Sequence, residues 1–167
     1  MKKWYLLTAK PRKDAYAEEQ LNNQQYETYR PLAKRLRRRQ GKMVESIESL
    51  FPRYLFIRLD KGVDNWAPIR STRGVAGFVR FCIEPAVVDE GLIQLLKQHQ
   101  HEYSQNAIDL DRYKKGDKLK IETGPFMGIN AIFHSYNGEE RAVVLLTLLH
   151  KQTKLEISPA DISKTNP

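Results

Sequence analysis

The sequence predicts an α+β fold: an antiparallel sheet with helices against it, then a linker and a small C-terminal domain. Three observations carry this. Short apolar runs alternate with helix-forming stretches through the first 100 residues, in the order strand, helix, strands, helix. A polar, patternless stretch follows at 101–112. The charge balance changes there too: residues 1–60 hold 14 Lys/Arg against 7 Asp/Glu, 61–100 hold 5 against 4, and 101–167 hold 9 against 9. The expected division is a domain over 1–100, a linker over 101–112 and a domain over 113–167.

Trp4–Ala9 is an aromatic and aliphatic run that suits a buried strand. Arg12–Asn23 places Ala15, Ala17 and Leu21 among strong helix formers, with Asn22-Asn23 as a stop. Tyr26–Pro31 reads as extended, because Pro31 biases Arg30 away from helix. Lys34–Arg39 and Met43–Ile47 flank Gln40-Gly41-Lys42 and predict a basic hairpin turning near Gly41. In Leu50–Leu59 an aliphatic face (Leu55, Ile57, Leu59) alternates with Tyr54, Phe56 and Arg58. A further strand is expected over Val75–Phe81, and a helix capped by Asp89 runs to about Gln98 on an apolar stripe of Leu92, Ile93, Leu95 and Leu96.

The C-terminal part carries two patterns at once. As strands, Leu119 and Ile121 alternate, Asn137-Gly138 is a hairpin signal, and Val143–Leu149 is an apolar run. As helices, Phe126, Ile129 and Phe133 share a face, and Leu145, Leu148 and Leu149 form a stripe within Glu139–His150. Either a helical hairpin or a small barrel satisfies these residues.

Composition narrows the function. With 41% apolar and 29% charged residues and a mean hydropathy of −0.59, the chain reads as soluble and globular. No apolar run approaches the roughly 18–20 residues of a bilayer-spanning helix, and Trp4–Ala9 is too short for a secretory signal. Cys82 alone permits no internal disulfide or multi-cysteine zinc site, so a cytoplasmic address is expected. Its apolar neighbours Phe81 and Ile83 predict a buried thiol. The formal charge of +8 points to a polyanionic partner for the N-terminal part.

No nucleophile–base pair, phosphate loop or metal-ligand spacing is evident; His99, His101, His134 and His150 are not grouped as ligands. Neither an enzyme nor a cofactor is expected. Lys10, Arg12 and Lys13 at the first strand-to-helix junction, and Arg73 in a Thr-Arg-Gly loop, suit contacts to phosphates or base edges. Arg35 and Arg37–Arg39 add a cationic arm. The aromatic face of Leu50–Leu59 has two readings: core if a helix covers it, a protein interface if it stays open.

Met1–Leu7 with Trp4-Tyr5, Leu50–Phe56 and Thr72-Arg73-Gly74-Val75 resemble the N-terminal domain of NusG-type transcription elongation factors. Gly116-Asp117 followed by Gly124-Pro125-Phe126-Met127-Gly128 resembles the KOW motif of their C-terminal domain. Val79-Arg80-Phe81 and the Leu-rich Val143–Leu149 are similar to the family's specialised antiterminators. The resemblance implies that Tyr54, Phe56 and Phe81 grip the clamp helices of RNA polymerase, with Asn65-Trp66-Ala67 at the segment that meets the gate loop. It implies that Lys10, Gln24, Thr72 and Arg73 contact the non-template DNA strand of a paused complex, with Gln20 standing where relatives use His.

The resemblance also implies a C-terminal domain that is a helical hairpin when closed and a β-barrel when open. Glu48 and Arg141 match the interdomain ion pair of the closed form, and Phe133, Leu145 and Leu149 belong to the same contact. A small-subunit ribosomal protein is the implied partner of the barrel. A monomer is expected, with no membrane. Two other readings stay open: a general elongation factor with no DNA element, and an RNA- or ribosome-binding KOW protein.

Overall fold

The computed structural model describes residues 1–105, Ile132 and 138–156, apart from the side chains of 35–37, 99–105 and 152–156. Strand β1 (Lys2–Ala9) is central. It pairs antiparallel with β5 (Tyr54–Asp60) on one side, and with β6 (Val75–Phe78) and β7 (Val87–Val88) on the other; β2 (Glu27–Tyr29) adds outside β5. Strands β3 (Leu32–Arg39) and β4 (Lys42–Ser49) form a separate two-stranded ribbon, the expected basic hairpin, with Gly41 at φ 77° in its turn.

Both faces of the sheet are covered, which explains why β1 is a continuous apolar run. On one face Tyr5, Leu7, Leu55, Ile57 and Leu59 pack with Ala17 and Leu21 of α1 (Asp14–Asn23) and Ile69 of α2 (Ala67–Arg70). On the other, Trp4, Leu6 and Phe56 belong to one cluster with Leu92, Ile93 and Leu96 of α3 (Glu90–Gln105) and with Leu145, Leu148 and Leu149 of α4 (Gly138–Glu156). Thus the C-terminal segment described is helical, following the leucine stripe rather than the strand alternation.

Several expected boundaries move. The first helix starts at Asp14, because Lys10–Lys13 is a turn with Arg12 at φ 63°. The strand expected from Leu50 starts at Tyr54, because Tyr54 N–H closes a turn on the Phe51 carbonyl at 3.0 Å. The strand expected to reach Phe81 ends at Phe78, where the chain loops back so that Ala86 N–H reaches the Val79 carbonyl at 2.8 Å. Helix α3 continues to Gln105, so 101–105 are helical. Cys82 is exposed, not buried: it lies in that returning loop, clear of both clusters. Phe133, the KOW-like motif and the rest of 106–131 lie outside the described residues.

Candidate functional site

The expected DNA-contacting residues gather around the C-terminal end of β1. Gln24, just past α1, donates through Nε2 to Thr72 Oγ1 at 2.9 Å and to the Gln20 carbonyl at 3.2 Å. Thr72 in turn donates to the Pro68 carbonyl at 2.8 Å. Lys10 N–H donates to the Gly74 carbonyl at 2.8 Å, so β1 and the 71–74 loop are tied side by side. Gly74 has φ 89°, and a Cβ there would lie 3.1 Å from Ala17 N and from Tyr16 Cδ1. Only glycine suits that backbone and that approach, which brings the Arg73 loop against α1. Lys10, Arg12, Lys13 and Arg73 are exposed, and Thr72 is buried. The arrangement offers cations for phosphates beside amide and hydroxyl groups able to read a base edge.

The residues expected to meet polymerase fall on two sides of the sheet. Phe56 is fully buried, stacked on Tyr29 at 6.0 Å and edge-on to Phe51 at 6.2 Å. Tyr54 and Phe81 are half-buried at the margin of the same cluster, and Phe81 meets the ring of His150 at 5.2 Å. Trp66 instead packs on the α1 side, stacked on Phe78 at 5.1 Å and edge-on to Tyr5 at 4.7 Å. Its neighbours are turn-formers as well as surface: Asn65 Oδ1 accepts from Ala67 N–H at 3.1 Å, and the Asn65 carbonyl accepts from the Tyr26 hydroxyl at 2.7 Å. Asn65 and Ala67 are exposed.

Helix α4 covers the aromatic face through a charged anchor and an apolar stripe. The Arg141 side chain is 1% exposed; its Nε donates to the Leu50 carbonyl at 2.6 Å, and its Nη2 lies 3.5 Å from Glu48 Oε1. Leu145 and Leu149 are fully buried in the cluster that holds Phe56. Gly138 sits against Pro52, where an added Cβ would approach the ring to 2.6 Å. The resemblance implied a Glu48–Arg141 pair, and the helical pattern put Leu145, Leu148 and Leu149 on one stripe; the Leu50 carbonyl belongs to neither, because a backbone acceptor leaves no trace in residue type.

Lys97 is a further residue missed. Its Nζ stands 5.4 Å from the Trp4 ring and 5.3 Å from the Tyr29 ring, closing one edge of the aromatic face. Burial pushes the Tyr29 phenol well above its ordinary pKa, so it stays neutral. Among the described residues, no group of three or more His, Cys, Asp or Glu is placed to hold a metal ion, and no helix is long and apolar enough to cross a membrane.

The family described as NusG, transcription termination factor nusG, matches residues 2–97. The chain is 26% identical over 141 residues to the transcription termination/antitermination protein NusG of Deinococcus radiodurans, covering 74% of this chain and 73% of that one. The protein of the same name from Thermus thermophilus is 26% identical over 137 residues, covering 74% and 72%. A solved structure concerned with domain interaction in Thermotoga maritima NusG is 20% identical, covers 76% of each chain and superposes with a TM-score of 0.42.

Proposed function

The chain belongs to the NusG family, and we propose that it is a transcription elongation and antitermination factor that binds RNA polymerase through the sheet face around Tyr54, Phe56 and Phe81. In this reading it acts by binding alone. The observation that carries the reading is the pairing of an aromatic sheet face with the exposed cationic end of β1 on one small domain. An apolar surface suits a protein partner, and Lys10, Gln24, Thr72 and Arg73 suit a nucleic-acid strand beside it.

A second, narrower reading is favoured by α4. In it the chain is an RfaH-type specialised antiterminator, recruited by an element in the non-template strand, with α4 masking the polymerase-binding face until recruitment releases it. The buried Arg141 anchor and the burial of Leu145 and Leu149 with Phe56 support a closed state of this kind. In that reading the released segment refolds toward a barrel and meets a small-subunit ribosomal protein. In that reading the face meets the clamp helices of the polymerase, and Asn65-Trp66-Ala67 meets the gate loop.

Single-round transcription with purified RNA polymerase tests both readings, on templates with and without an RfaH-type element. Shortened pauses on both templates establish the general factor. Shortened pauses only with the element, made independent of it by Arg141→Ala, establish the specialised one. Unchanged pauses on both templates, with the Arg141→Ala variant included, would overturn the elongation reading.

A further inference from the structure

Two turns of the same build face one cleft. Lys13 N–H reaches the Lys10 carbonyl at 2.9 Å, and Tyr54 N–H reaches the Phe51 carbonyl at 3.0 Å. Each turn has proline second and arginine third: Pro11-Arg12 and Pro52-Arg53. Both arginines have left-handed backbones, with φ 63° and 73°. A turn of this kind favours Gly or Asn at its third position, because any Cβ crowds the neighbouring carbonyl. Arginine held twice in a disfavoured conformation, on two sides of one cavity, is an outlier that asks for a function.

The cavity is a cleft of about 460 Å³, lined by Arg12, Arg53, Arg30, Asp14, Glu48 and Ser49 among others. Asp14 ties the walls together: its Oδ2 accepts from Arg53 N–H at 2.7 Å. Arg53 Nε donates to the Ala9 carbonyl at 3.3 Å, and Arg30 Nη1 donates to Ser49 Oγ at 2.9 Å while its Nε lies 3.4 Å from Glu18 Oε1. Arg12 has no ion-pair partner among the described residues. Glu48 faces Arg141, and Asp14 Oδ1 is buried without a hydrogen-bond partner among the described residues. The cleft therefore presents planar cationic donors, and guanidinium groups match phosphate oxygens.

We propose that this cleft binds the phosphate of a nucleotide unit, free or within a nucleic-acid strand, with Arg12, Arg53 and Arg30 as its cationic ligands. The site lies beside the end of β1 where Ala9 N–H bonds the Arg53 carbonyl, whereas the Gly74 side of that end carries Thr72 and Arg73. It goes beyond the elongation reading and does not depend on it, since its test needs no polymerase.

The test follows the backbone amides of Arg12, Asp14 and Arg53 by NMR in the full chain, titrated separately with inorganic phosphate, a nucleoside monophosphate and a short single-stranded DNA. These amides are expected to shift together. Shifts with the monophosphate assign free nucleotides as ligands, and shifts with DNA alone assign the strand; both support the site. The double variant Arg12→Asn/Arg53→Asn keeps residues that tolerate left-handed backbone, so it is expected to melt no lower than the parent. It should bind the nucleotide probe about tenfold more weakly, and its log–log salt slope for DNA should flatten by about one to two. Amides unmoved by all three probes, or an affinity unchanged in the double variant, would overturn the proposal.

Discussion

Replacing Arg141 by alanine removes the anchor of α4, and its two contacts are unequal. The bond from Nε to the Leu50 carbonyl is short, at 2.6 Å, and buried. A charge-assisted bond of that kind contributes about 1.5–3 kcal/mol. The approach to Glu48 is 3.5 Å, but the Glu48 side chain is 30% exposed. Coulomb attraction at that distance is roughly 5 kcal/mol at an effective dielectric of about 20, before the desolvation of a buried guanidinium offsets most of it. Solvent screening at Glu48 leaves about 1 kcal/mol. Arg141→Ala is thus expected to weaken the docking of α4 by about 3 kcal/mol once the packing of its stem is included, and Glu48→Ala by about 1 kcal/mol. Native-state hydrogen exchange of the Ala142–Leu149 amides reads both changes. The first should speed exchange about 100-fold and the second about fivefold. If Glu48→Ala accelerates exchange as much as Arg141→Ala, the ion pair rather than the carbonyl bond is the anchor, and this reasoning is refuted.

Gly74→Ala puts a Cβ on a backbone at φ 89° and within 3.2 Å of Ala17 Cα. It should destabilise the chain by about 2–3 kcal/mol, lowering the melting temperature by roughly 4–10 °C in calorimetry. Tyr29 has a native pKa raised by burial, so its contribution to stability is complete below the ordinary phenol value of about 10 and is lost as pH rises beyond it. Urea midpoints measured from neutral to strongly alkaline pH should fall less steeply in Tyr29→Phe; an unchanged slope would exclude Tyr29 as a source of the alkaline loss. Cys82 is exposed and should react stoichiometrically with a maleimide in the native chain, without denaturant.

How far the sequence could be read depended on whether periodicity or geometry decided the point. The alternation in β5 separated Phe56 from Leu55, Ile57 and Leu59 correctly, because a strand sends successive side chains to opposite faces. It could not say that α3 and α4 would cover the Phe56 face, since coverage is a tertiary fact. The turns at Arg12 and Arg53 were hidden because arginine is an unusual residue for a left-handed position, and the prolines before them marked only a break. For the same reason the sequence pattern alone extends helix α1 back to Arg12 and strand β5 back to Leu50, ahead of their starts at Asp14 and Tyr54. Cys82 departs from the signal of its neighbours because Ile83 beside it is itself strongly exposed: local hydrophobicity at a loop does not imply burial.

The double pattern in α4 has a physical explanation once the contacts are known. Val143 and Thr147 point to solvent, while Leu145, Leu148 and Leu149 are buried against the sheet cluster. β-branched residues on the exposed face lend the helix little intrinsic stability, so its helical form depends on the apolar stripe and on Arg141. Remove the surface that holds Leu145 and Leu149, and the same Val-Val-Leu-Leu run loses its reason to be helical while keeping its suitability for a strand. In the proposed closed state, a partner that competes for the Phe56 face competes with Leu145 and Leu149 for the same cluster. The energy to be overcome includes both the Arg141 anchor, at a few kcal/mol, and the burial of Leu145, Leu148 and Leu149.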